Sequence, residues 1–165
     1  MTTIYISNRS ILLFILIALT IWISGAILVP SIISVSASDR LFIKGLYKLV
    51  CHQLPDRSFH IDSHPFFLCV RCTSFYLFGA LLTLIYILKR TIKMFSLLSY
   101  LLFILPAFFD FLFEKIGIYH NIISLRFFTG ALLGLAFFHL LIVSAGKRED
   151  EINKNQGDNL WTTKA

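Results

Sequence analysis

All three cysteines of the 165-residue chain fall between positions 51 and 72, in the stretch C-H-Q-L-P-D-R-S-F-H-I-D-S-H-P-F-F-L-C-V-R-C. The same stretch holds His52, His60 and His64, together with Arg57 and Arg71. Three chemistries are open to it. Cys69 and Cys72 form a C-x-x-C knuckle, and Cys51 adds a third thiolate. One histidine, His52 before His64 before His60, would complete a tetrahedral site of the kind zinc occupies. Alternatively, a C-x-x-C pair with Arg71 between its cysteines at a helix start has depressed thiol pKa values and could cycle between dithiol and disulfide. Third, one structural disulfide could fasten the segment and leave one free thiol. Spacing favours the metal, so zinc is the expected cofactor. No residue is assigned a catalytic role, and the reading leans away from an enzyme.

The segment is set in hydrocarbon. The chain is 57% hydrophobic and 15% charged, where a soluble domain carries about 25% charged residues. That indicates an integral membrane protein, with the lipid bilayer as its first partner. The net charge of +6 does not indicate nucleic acid. Its basic residues cluster in short segments beside apolar runs, as topology signals and anionic-lipid contacts do. Protein partners are not specified.

Four runs are long enough to approach the roughly 20 residues a bilayer requires. These predict an all-α membrane protein with helices near 10–35, 69–88, 95–113 and 121–145, after a polar segment at 1–9. Cleavage as a signal peptide after Ala37 is a minor alternative, since the first run exceeds the usual 7–15-residue signal core. Between the first two spans, Arg40, Lys44 and Lys48 share one helical face and Phe42, Leu46, Leu49 and Val50 another. That pattern predicts an amphipathic interfacial helix over 39–53, stopped by Pro55. Residues 146–165 read as a disordered polar tail. Lys89, Arg90 and Lys93 make a basic turn, and Lys147 and Arg148 open the tail. By the positive-inside rule these lie in the cytoplasm of a multi-pass cell-membrane protein with both termini inside and the Cys/His loop 51–72 outside.

Four antiparallel spans bring the first and third connections to one side. Asp110 and Arg126 then sit at matched depth on adjacent helices, and either alone is costly in lipid. They are expected to pair as a buried clamp. Arg57, Arg71, Glu114 and His120 fall at the same end. Gly130 and Gly134 have the spacing that lets helices approach closely, with packing inside the monomer expected. His139 lies about 20 Å further along its helix than Arg126, remote from the cysteines.

C-H-Q-L-P-D-R-S-F at 51–59, C-V-R-C-T-S-F-Y at 69–76, Asp110 and N-I-I-S-L-R-F-F-T-G-A-L-L-G at 121–134 together resemble a family of small membrane proteins, the domain of unknown function twenty eighty-five. The resemblance covers about residues 40–140. It implies a multi-helix membrane protein and carries no activity with it. Ser74 and Phe111 stand where that pattern has glycine. The four-helix disulfide-forming quinone reductases share the broad layout, but they use two cysteine pairs, which three cysteines cannot make.

Overall fold

The computed structural model describes residues 3–5, 9–31, 36–61, 64–89, 91–119 and 122–162. Its frame is four helices long and apolar enough to cross a membrane: α1 (Arg9–Ser31), α3 (Val70–Lys89), α4 (Leu97–Ile116) and α5 (Ile123–Thr162). A shorter helix, α2 (Ala37–Lys48), follows α1. The all-α, four-span architecture read from the apolar runs is the one observed.

The bundle is centred on α3, which packs most extensively on α5 and also on α1, while α4 lies against α5. The α3–α5 contact is close because α5 presents no side chain there. A Cβ at Gly130 would overlap the Arg71 carbonyl and the Ser74 hydroxyl, and one at Gly134 would overlap the backbone of Phe75. The two glycines therefore join helices of one chain. Ser74 is fully buried and turns its hydroxyl back to the Arg71 carbonyl, 3.0 Å away, so the side chain is satisfied within its own helix.

Helix α2 starts where Ser36 caps the N–H of Asp39 (3.2 Å), a side-chain oxygen meeting one of the donors a helix start leaves open. It then folds back along α1. Tyr47 donates to the Trp22 carbonyl at 2.7 Å and its ring lies 4.3 Å from the Trp22 ring, with its hydroxyl against Gly25. Trp22 is about 12 Å along α1 from Pro30, so α2 descends towards the bundle while Phe42 and Leu49 stay exposed.

Three further features complete the described residues. The 51–72 segment is ordered by a 3₁₀ turn at Pro55–Arg57 and an antiparallel hairpin, β2 (Ser58–Ile61) with β3 (His64–Cys69). The N-terminal segment supplies a strand, β1 (Thr3–Tyr5), paired antiparallel with β4 (Thr91–Lys93) in the basic turn. Helix α5 runs on past the apolar span to Thr162. The Lys, Arg and Glu residues there are good helix formers, and the span already supplies the nucleus that an isolated helix lacks.

Candidate metal centre

The cysteine site is made by two chain reversals. Helix α2 closes with a turn at Leu49–Val50, and the Cys51 N–H donates to the Tyr47 carbonyl at 3.0 Å. Gln53 then takes a left-handed conformation, φ 52°, unusual for a residue with a side chain. Its amide donates to the Lys44 carbonyl at 2.8 Å, tying the reversal to the helix just left. The hairpin makes the second reversal. Ser58 pairs with Cys69 at its base and Ile61 with His64 at its far end. Cys69 thus returns to the level of Cys51 and leads directly into α3, where Cys72 follows.

The three sulfurs lie within 4.8 Å of one another, although Cys51 and Cys69 are 18 residues apart. All three are free thiols. Cys51 is buried, and Cys69 and Cys72 are half-buried. The Cys51 sulfur accepts the Cys69 N–H at 3.2 Å, at the positive end of α3. Hydrogen bonds from the Cys69 and Cys72 thiols hold Cys51 well below the ordinary thiol range. The same bond to Cys51 pushes Cys69 up. A cation in place of the shared protons would hold all three sulfurs as thiolates.

The histidines do not complete the set. Among the described residues, the group able to share an ion consists of Cys51, Cys69 and Cys72. His52 is exposed and lines the same pocket as the three cysteines, outside the group able to share an ion. His60 and His64 lie towards the far end of the hairpin, both exposed. His64 is five residues of strand, about 17 Å, from Cys69. His120 lies outside the described residues.

The charged groups gather as expected, with different partners. Asp110 and Arg126 are both buried, at 3% and 4% exposure. However, Asp110 is bridged by Arg71, and Arg126 by Glu114, which also takes Arg57 at 2.9 Å. The expected Asp110–Arg126 clamp is therefore replaced by two crossed pairs. Close packing at Gly130 brings the first turn of α3 to α5 and α4, so Arg71 occupies Asp110. Glu114, one turn further along α4, is left for Arg126. Tyr119 and Thr129, which the motif reading passed over, complete the Asp110 environment. The Tyr119 hydroxyl donates to the carboxylate, and Thr129 does so at 3.1 Å. The spacing of Thr129 three residues after Arg126 was the available signal.

A pocket of about 300 Å³ opens beside the sulfurs, walled by Arg57, Arg71, Arg126, Glu114 and Phe111. At the other end of the bundle His139 is fully buried, bonded through Nδ1 to the Tyr100 hydroxyl at 2.7 Å and stacked on Phe95 at 4.0 Å.

Residues 51–140 match a family described as predicted membrane protein (DUF2085). The match begins at Cys51 and contains every group of the site. An uncharacterized protein of Methanocaldococcus jannaschii is 32% identical over 100 residues, covering 58% of this chain and 64% of the relative. The chain thus spans less than two thirds of that protein's length. An uncharacterized protein of Methanothermobacter thermautotrophicus is 33% identical over 91 residues, covering 54% of this chain and 81% of the relative. No solved structure matches the chain.

Proposed function

The chain belongs to this family of predicted membrane proteins, and on that premise we propose that it is a multi-pass membrane protein whose Cys51, Cys69 and Cys72 hold one divalent, thiophilic metal ion, zinc. The observation that carries the reading is the convergence of three free sulfurs from two distant segments to within 4.8 Å. Thiolates sharing one zinc stand about 3.8 Å apart, so small side-chain rotations close the set. Charge supports a divalent ion. Arg57, Arg71 and Arg126 meet only Asp110 and Glu114, leaving one positive charge in excess among the described residues of the network. A divalent ion on three thiolates carries one net negative charge, which that excess offsets. Three protein ligands would leave a fourth position for an exchangeable ligand, and the three cysteines all line the adjoining pocket.

The site lies on the extracytoplasmic side in this reading, because the basic Lys89–Lys93 turn marks the opposite end as cytoplasmic. Elemental analysis of purified protein beside a free-thiol count tests the assignment. One metal per chain, with three thiols that react only after chelation, is the expected result. Absence of metal with one reactive thiol would instead indicate a disulfide. A second reading, thiol–disulfide exchange, is favoured by the Cys69 N–H bonded to the Cys51 sulfur, which stabilises an attacking thiolate. It requires metal-free protein whose thiol count alternates between three and one on oxidation and reduction.

A further inference from the structure

A second cavity, of about 610 Å³, lies away from the sulfurs, between the end of α1, the first half of α2 and the start of β3. Arg40 and Lys44 supply its polar wall from one face of α2, one turn apart, with His64 of β3 beside them. Pro30, Leu41 and Phe67 supply an apolar wall. Among the described residues no acidic side chain lines it. Its depth is set by α1, whose apolar span closes at Pro30, the level at which hydrocarbon gives way to headgroups. The neighbouring Leu41 and Phe42, each 70% exposed, show that this side of α2 faces outward at that level.

A cavity that is cationic on one wall, apolar on the other and placed at headgroup depth matches one class of ligand in both halves. We infer that it is a binding site for an anionic phospholipid. The phosphodiester would lie against Arg40 and Lys44, and the upper acyl chain along Pro30, Leu41 and Phe67. A zwitterionic lipid would bring its own cation towards the same two basic side chains and gain less. The site also bears on the cysteines, because one wall leads through α2 to Cys51 and the other through β3 to Cys69. A lipid seated there braces both segments, whether or not a metal is bound.

Purified full-length protein in phosphatidylcholine nanodiscs, with and without phosphatidylglycerol, tests this by thermal unfolding and native mass spectrometry. Phosphatidylglycerol should raise Tm and leave a one-lipid adduct. Each basic residue near a membrane surface contributes about 1 kcal/mol, roughly fivefold. K44Q, at an exposed position, should therefore weaken the adduct roughly fivefold, and R40Q/K44Q more. K89Q, at the other end of α3, should leave it unchanged. Equal Tm in the two lipids overturns the proposal, as does a K44Q adduct as strong as that of the native chain. Stabilisation by inorganic phosphate in phosphatidylcholine alone also overturns it, since the site would then take a soluble anion.

Discussion

Cys51, Cys69 and Cys72 are interdependent, and their substitution should show it. Serine at any one removes a thiolate from a set of three, and each change is expected to abolish tight metal retention, measured as metal per chain after dialysis. His52→Ala should retain metal, because His52 is exposed and outside the sulfur cluster. Loss of metal from His52→Ala would mean that the histidine swings in as a fourth ligand. A second expectation concerns Arg71. Asp110 is 3% exposed and ion-paired with Arg71. Arg71→Met would strand a buried carboxylate at a cost of about 3–5 kcal/mol. Arg71→Met with Asp110→Leu should recover much of that loss, whereas Arg126→Met with Asp110→Leu should not. The recoveries, read as Tm in detergent, would reverse if the partners were Asp110 and Arg126.

At the scale of elements, the α3–α5 contact positions the site. Gly130 lies on the Arg71 carbonyl, one residue before Cys72, so the seating of α5 fixes where α3 begins. Gly134→Ala would press a methyl group into the Phe75 backbone, which cannot rotate aside. Overpacking of this kind costs about 1–3 kcal/mol. Gly45→Ala, where an added Cβ meets nothing within 4 Å, should instead be neutral or stabilising, since alanine is the better helix former. The two unfolding curves are the check, and equal effects would show that the close approach at Gly134 is not a constraint. The hairpin is a different sort of element. Its task is to return the chain from Cys51 to Cys69, and its far end carries His60 and His64 away from the sulfurs.

For the whole molecule, four spans require that residues 60 and 118 share one side of the membrane and residue 91 the other. Cysteine accessibility in a background with the native cysteines replaced should show residues 60 and 118 labelled from outside and residue 91 from inside. Labelling of 60 and 91 from the same side would remove a span. Labelling of all three with sides exchanged would keep the fold and invert the proposed orientation. The β1–β4 pairing ties the N-terminal segment to the α3–α4 turn, so those two regions should be protected together in hydrogen exchange.

Long-range order in a membrane chain is set first by where apolar runs begin and end, and these were legible. The four spans, the amphipathic α2 and the gathering of charge at one end follow from run length and helical periodicity, because the bilayer imposes both. The cysteine cluster was legible as a set because all three cysteines lie within residues 51–72. Cys51 and Cys69 lie at the two ends of one connection between spans, and the hairpin returns one to the other. Partner choice was not legible. Matched depth placed Asp110 level with Arg126, but depth says nothing of rotation about a helix axis, and the close approach at Gly130 gave Asp110 to Arg71. The histidines next to the cysteines in sequence pointed to a fourth ligand. Strand pairing instead carried His60 and His64 to the far end of a hairpin, and the reversal at Gln53 left His52 at the surface. Sequence spacing determined which groups share one end of the bundle. Only the packing of backbones decided which of them touch, because contact depends on rotation and register that no linear pattern records.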